Sequence, residues 1–385
     1  MVQDRFYRDS WVEVNLDSVA YNIKQLQERL SGQTKIFAVV KANAYGHGDI
    51  QVARQALAAG ASRLAVSLLD EALKLRKNGI TAPILVMGRT RPEDAPVAAE
   101  NDITVTFYDK DWLNQVQATV LPDRLKVHMK WDTGMGRIGI REAEELVDIL
   151  TDFPLESCHL EGIFTHFATA DEQELDYFSL QQERFDHLLT VFEKHWKAPV
   201  IIHTGNSAAS MRFPEQMHQY VRFGISMYGL YPSEEVRRER PIDLKPAFSL
   251  HSKLVHVKKM APGESVSYGA TYTTEQEEWI GTIPIGYADG IIRKFQGKEI
   301  LVGGKRFPIV GRICMDQLMV RLDDFYPVGT KVTFIGSQGQ EEVSMDEAAA
   351  YVDTINYEIP CIISYRVPRI YLSNNEITSQ KNYIV

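Results

Sequence analysis

From residue 36 to residue 223 the sequence alternates between two textures with almost no interruption. Short apolar runs rich in Val, Ile and Phe fall at 36–40, 63–67, 84–87, 103–107, 125–130, 160–165, 200–203 and 220–223. Helical patterns fill most of the gaps, at 49–59, 69–78, 92–100, 110–118, 141–151, 175–195 and 206–211. Apolar runs of this kind belong to strands buried on both faces, which are parallel strands covered by helices. About eight of them over roughly 210 residues predict a (β/α)8 TIM barrel. An open doubly wound sheet is the runner-up, but no Gly-x-Gly-x-x-Gly turn follows the first strand to favour it.

The texture changes near Pro232. The charged stretch 233–241, with Arg237-Arg238-Glu239-Arg240, reads as a linker. Beyond Pro246 the apolar runs lengthen and alternate, at 248–257, 279–284, 299–302, 307–310, 318–322, 331–335 and 362–371, with one helical stretch at 345–352. Gly303-Gly304 suits a hairpin turn. The expected organisation is an N-terminal barrel over residues 1–240 and a mostly-β domain over 241–385, with residues 11–16 a short strand that could join the second domain. Asp17 can cap the first helix, which runs to about Leu30.

Composition removes several classes. At 385 residues the chain has room for two cores, and 44% apolar with 24% charged residues is ordinary for a globular protein. A net charge of −9 argues against non-specific nucleic-acid binding, which wants a basic face. No apolar run approaches a membrane span, and the first residues lack a signal-peptide core. Three cysteines without metal-type spacing (Cys158, Cys314 and Cys361) suggest a reducing, cytoplasmic setting and no metal site.

A barrel carries its functional groups at the C-terminal ends of its strands. Lys41 follows the first predicted strand, Lys130 closes the fifth, His166 follows the sixth, His203 closes the seventh, and Arg222 with Gly224 closes the eighth. Polar groups at five strand ends are hard to explain as packing. A lysine held rigid and partly desolvated at a strand end shifts toward the neutral amine and can form a Schiff base with a carbonyl cofactor, although it could instead snorkel from the rim. The loops after strands seven and eight are the usual phosphate site of this fold, and here they offer Ser207, Gly224 and Ile225. Asn206 or Ser207 could equally be a plain helix cap.

The run Val39-Val40-Lys41-Ala42-Asn43-Ala44-Tyr45-Gly46-His47-Gly48 resembles the pyridoxal-phosphate lysine motif of bacterial alanine racemases, and the resemblance extends over nearly the whole chain. It implies pyridoxal 5′-phosphate as cofactor and an enzyme that interconverts L- and D-alanine for peptidoglycan. In that reading Tyr45, Asn206, Ser207, Gly224, Ile225 and Tyr357 hold the phosphate end, while Arg222, flanked by His166 and His203, faces the pyridine nitrogen. A guanidinium only donates, so it would leave that nitrogen unprotonated and make the ring a weak electron sink, which a racemase tolerates. Racemisation needs one base on each face: Lys41 on one and Tyr268, in Ser265-Val266-Ser267-Tyr268-Gly269, on the other. The resemblance implies that Tyr268 and Met315 reach the site of a second subunit, making a head-to-tail homodimer. Arg137 would contact the substrate, Lys130 is often carbamylated in relatives, Asp316 supports the Gly311–Asp316 motif, and Asp171, Arg293 and Arg312 would line the access corridor. Bulk in the 354–358 stretch favours alanine over larger amino acids. Trp131 departs from the family's small or branched aliphatic residue and should point behind the barrel wall. A serine or broad-specificity racemase and a pyridoxal-phosphate amino-acid decarboxylase of the same architecture are the enzyme alternatives. A pyridoxal-phosphate homeostasis protein, a lone barrel, is the non-enzyme one.

Overall fold

The structure is a computed structural model that describes residues 5–384. By backbone proximity the chain forms two units: residues 18–44 with 49–245, and residues 1–17 with 45–48 and 246–385.

In the first unit eight strands close a parallel barrel. After strand β1 (Ser10–Asn15), which belongs to the other unit, they are β2 (Lys35–Val39), β3 (Arg63–Val66), β4 (Ile84–Arg89), β5 (Ile103–Phe107), β6 (Leu125–Lys130), β7 (Cys158–Phe164), β8 (Ile201–His203) and β9 (Tyr220–Phe223). β9 pairs back onto β2, from Lys35 opposite Tyr220 to Ala38 opposite Phe223, and so closes the ring. The runs read as strands are the strands observed, shifted by one or two residues at their ends. Closure follows from the composition of these runs. Ile36, Phe37, Ala38 and Val39, like Leu64, Ala65 and Val66, are buried on both faces, so no strand edge can be left to water.

Between β6 and β7 the register slips: Val127 pairs with Leu160 but His128 with Gly162, so Glu161 is an extra residue in the ladder. Such bulges re-aim a side chain. Trp131, just beyond β6, is fully buried and packs on Phe185 and Phe192 of the helix Asp176–His195, with ring centroids 5.0 and 5.9 Å away. It therefore fills the layer between barrel wall and helix, on the side away from the rim.

In the second unit an eleven-stranded sheet includes β1, which pairs antiparallel with Phe248–Lys253 and parallel with Arg369–Ser373. Gly303 and Gly304, both at positive φ, turn the hairpin between Glu299–Val302 and Lys305–Val310. Asp17 lies inside the first turn of the helix Leu16–Arg29 rather than capping it, and its carboxylate accepts from Ser373 Oγ and the Asn374 N–H. Three further readings need correction. The run 248–257 is two strands, Phe248–Lys253 and His256–Met260, because Leu254 and Val255 leave the first ladder to donate to Thr330 and Thr282 carbonyls. The stretch 362–371 is strand only from Arg369, after the helix Glu358–Ile362 and a turn ending at Pro368, which has no N–H for a ladder. In the charged linker, Ser233 caps a helix, Glu234–Glu239, whose acids lead and bases follow. The tail forms a further strand, Glu376–Lys381, paired to Arg369–Ser373 through Asn374-Asn375, both at positive φ, a hairpin turn that asparagine tolerates. Among the described residues no helix is long and apolar enough to cross a membrane.

Trp131→Ala is expected to destabilise the protein by about 3–5 kcal/mol, the cost of an emptied aromatic site. Equilibrium urea unfolding measures it, and a cost below about 1 kcal/mol would show that the helix layer collapses to fill the gap.

Candidate active site

Lys41 follows β2 by two residues, and the chain there takes an unusual path. Ala42, Asn43, Ala44 and Tyr45 all have φ between 51° and 54°, one turn of left-handed helix. Such backbone costs roughly 1–2 kcal/mol per residue with a Cβ, so something must hold it. Glu71, on the helix Leu69–Lys77, accepts from the N–H of Ala42 at 2.6 Å and also from Ser67 and Leu68 at 2.8 and 3.1 Å. Ala44 donates to Val40 at 2.9 Å and Asn43 accepts from Asp49 at 3.2 Å. The turn after Lys41 is thus pinned. Glu71 is missed by sequence reasoning because an acid in the first turn of a helix is commonplace.

Arg222 is the centre of the barrel's upper end. Its side chain is buried and its terminal nitrogens face acceptors: Nη1 donates to His203 Nδ1 and to the His203 carbonyl, both at 2.9 Å. Nη2 donates to the Thr165 and Thr204 carbonyls at 2.8 and 3.0 Å and to His166 Nδ1 at 3.2 Å. No acceptor for Nε–H is found among the described residues. Burial, helped by Arg137, lowers its pKa to about 9, which leaves it a cation at neutral pH. Burial, then the charges of Arg222, Arg137, Lys130 and Lys41, drives His166 well below its usual range, and burial with Arg222 does the same to His203. Lys41, Lys130, Arg137 and Arg222 therefore crowd one rim with positive charge in a chain of net charge −9. Such a rim suits a ligand that carries more than one anionic group.

Lys130 is buried, and its Nζ has no hydrogen-bond partner, lying 5.3 Å from the centroid of Phe164. Burial first, then Arg222 and Arg137, pull its pKa down to about 7. After it, residues 132–139 fold back through Asp132, whose carboxylate accepts from Gly134 and Gly136, and through Ile140, which bonds the Lys130 carbonyl; Arg137 is exposed on this loop. The β8 and β9 loops meet where the Gly224 N–H donates to Ser207 Oγ at 3.0 Å. Asn206 is the cap of the helix Ser207–Arg212, accepting from Ala209 at 3.0 Å, so its carbonyl oxygen serves the fold. Ile225 begins the next short helix and is buried. Asp171 lies on a loop whose carbonyl accepts from Ser233, and burial raises its carboxyl.

The second unit carries the remaining candidates. Tyr268 is 71% exposed on a tight turn between Ser267 and Gly269, both at positive φ. Ser267 Oγ donates to the Arg312 carbonyl at 2.6 Å, and a Cβ on Gly269 would lie 2.9 Å from the Arg312 guanidinium. Tyr287 and Ala288 donate to the carbonyls of Cys314 and Met315, Met315 is 53% exposed, and Asp316 is paired with Arg366 at 2.7 Å. Tyr268, Met315 and Asp316 are exposed beside the half-buried Arg312, whereas Arg293, also exposed, starts a separate turn, Arg293–Phe295. Tyr45 and Tyr357 face each other, rings 6.2 Å apart, and burial pushes the Tyr45 phenol up.

A closed barrel with a lysine, an arginine and two histidines at its rim, followed by a β domain with an exposed tyrosine, defines an amine-handling enzyme on a barrel scaffold. The family models "Alanine racemase, N-terminal domain" and "Alanine racemase, C-terminal domain" match residues 14–232 and 247–371. The chain belongs to the alanine racemase family and is an amino-acid racemase. It is 55% identical to the alanine racemase of Geobacillus kaustophilus, with 99% of each chain covered. The crystal structure of alanine racemase from Bacillus anthracis with bound L-Ala-P is 50% identical, covers 99% of each chain and superposes with a TM-score of 0.96. A histidine racemase from Leuconostoc mesenteroides is also similar, 33% identical over 96% of this chain and 100% of that one, TM-score 0.88. The fold by itself therefore does not choose the side chain.

In CO2-free buffer Lys130→Met is expected to raise the melting temperature most at pH 6. There the native and unfolded lysines are both protonated, and the native state bears the full burial cost. The native amine sheds its proton as pH rises through about 7 and the unfolded one only near 10.4, so the gain should shrink toward pH 10. A pH-independent gain would show that packing, not the buried amine, is the source.

Proposed function

We propose that this protein interconverts L- and D-alanine with pyridoxal 5′-phosphate carried on Lys41, using Lys41 and Tyr268 as the two bases. The observation that carries this reading is the guanidinium of Arg222: its terminal nitrogens are committed to protein acceptors and its Nε–H is not, at a rim that also holds Lys41. A donor-only cation fits a ring nitrogen that keeps its lone pair. The Ser207 hydroxyl, which accepts from the Gly224 N–H, the backbone N–H of Ile225 and the phenols of Tyr45 and Tyr357 are of the donor type that a phosphate monoester takes up. When bound, the cofactor supplies a carbonyl that captures amines and a conjugated ring that accepts the electron pair left by a departing α-proton.

Lys41 stands at the rim among the charges of Lys130, Arg137 and Arg222, and in this reading its amine takes and returns that proton. His166 accepts from Arg222 at Nδ1, so as a neutral ring it carries its proton on Nε2, a donor suited to a phenolate oxygen. In this reading the phenol is Tyr268 of a second copy, arriving with Met315, in a head-to-tail homodimer. The 71% exposure of Tyr268 and 53% exposure of Met315 support that placement. Arg137 takes the substrate carboxylate as a bidentate donor. Lys130, neutral above about pH 7 and without a partner, is placed to take up CO2, and the carbamate would orient Arg137. Asp171, Arg293 and Arg312 line the approach. D-alanine made here serves peptidoglycan, and three cysteines outside any disulfide fit a cytoplasmic setting. A decarboxylase of the same architecture would want a carboxylate where Arg222 provides a cation.

Lys41→Ala should abolish both the visible absorbance of lysine-linked cofactor and racemisation, read by absorption and by circular dichroism over a panel of amino acids; full activity would remove the central assignment. Tyr268→Phe should impair proton removal from L-alanine more than from D-alanine. Mixed dimers of Lys41→Ala and Tyr268→Phe subunits should regain activity, since one of the two shared sites is then intact; no recovery in verified mixed dimers would count against sharing.

A further inference from the structure

Behind Arg222 the barrel interior holds a chain of polar groups that crosses most of its depth. His203, which receives Arg222 Nη1 on Nδ1, faces His128 Nδ1 with Nε2 at 2.9 Å. His128 Nε2 lies 3.0 Å from Glu161 Oε2. Glu161 also accepts from Thr104 Oγ1 at 3.1 Å and from Arg63 Nη1 at 3.0 Å. Arg63 opens β3, whereas His203 ends β8, so the chain runs from one end of the barrel toward the rim. Both histidines are fully buried.

The chemistry of the two ends fixes everything between them. A guanidinium can only donate, so His203 Nδ1 must offer a lone pair and, in a neutral ring, the proton sits on Nε2. That proton is donated to His128 Nδ1, which places the His128 proton on Nε2, where it is donated to Glu161. An ionised carboxylate can only accept. Any other assignment with neutral rings sets two protons or two lone pairs against each other. Burial opposes the Glu161 charge, but the bonds from His128 and Arg63 outweigh it and bring its pKa to about 2. Burial lowers both histidines, consistent with neutral rings.

Two further features are built around this chain. The extra residue in the β6–β7 ladder is Glu161 itself. Its neighbour Gly162 leaves room for the His128 ring, since a Cβ there would come within 2.6–2.8 Å of three imidazole atoms. His203 is stacked on Phe164, centroids 4.7 Å apart and 9° between planes, with Phe37 4.9 Å away, so turning its ring over would require these side chains to move.

We propose that Glu161 is a positioning residue for the racemisation: acting through His128 and then His203, it sets the proton on each ring so that His203 accepts from Arg222 and the guanidinium is held with Nε–H facing the cofactor. The effect on the cofactor rests on the role given to Arg222 above; the proton pattern does not.

The test is 15N NMR of the imidazoles in full-length protein labelled with 15N-histidine, cofactor-free and loaded, with the visible spectrum and steady-state kinetics of the loaded form. Both His128 and His203 should be neutral with the proton on Nε2, with or without pyridoxal phosphate. In Glu161→Gln one oxygen is replaced by an amide donor that must face Arg63, Thr104 or His128. His128 or His203 should then show a proton on Nδ1 or a mixture, the cofactor band should shift, and kcat should fall on the order of ten- to a hundredfold with KM nearly unchanged. Should that variant not fold, His128→Phe removes the acceptor from His203 and should also shift the band. A proton on Nδ1 of His203 in the unsubstituted protein, or Glu161→Gln with both rings and the band unchanged, overturns the proposal. If the cofactor-free protein shows the expected pattern but pyridoxal phosphate gives no lysine-linked band, the assigned function fails and the relay survives.

Discussion

A buried guanidinium that can only donate governs this barrel. Arg222 sits where water cannot satisfy it, so every terminal N–H must find a protein acceptor. It does so with three backbone carbonyls and two imidazole nitrogens drawn from around the barrel's upper end. Meeting those demands fixes the ends of β7 and β8 and the rings of His166 and His203. It also explains why the interior below holds His128 and Glu161 rather than the aliphatic layers usual in this fold. A polar interior is tolerable only when every member is satisfied, and here the series ends on a carboxylate shared with Arg63 and Thr104.

The same rim stores strain on the other side. Lys41 is followed by a left-handed turn that no ordinary sequence preference supports at Ala42 and Ala44. Glu71 and the helix behind it supply the restraint. A lysine on a pinned turn has little freedom in where its amine can go, which is what the role proposed for Lys41 requires.

Much of the first unit was legible because both faces of each barrel strand are buried. Uninterrupted apolar runs can be satisfied only by helices on one side and other strands' side chains on the other, and strict alternation then leaves closure as the main solution. The rim residues were legible for the same reason: Lys41, Lys130, His166, His203 and Arg222 interrupt or end runs in which a charged group has no packing role. The second unit was read less well. Its runs are long, so the break at Leu254 and the helix before Pro368 were hidden in apolar stretches of the right length. In the first unit, the charge pattern at 234–239 was a helix written in ion pairs rather than a linker.

By itself the sequence determined the barrel, the family and the set of chemical groups at the strand ends, since hydrophobic periodicity and residue type are local properties that survive without coordinates. Only the tertiary structure decided which of those groups touch. Glu161 and His128 each looked like one polar residue inside a strand, because the bulge that brings them together is a register between two strands, and register is a property of neither alone. The direction of the proton chain, the pinning of Lys41 by a glutamate thirty residues on, and the isolation of the Lys130 amine are likewise relations between distant segments, fixed when the ring of strands closes.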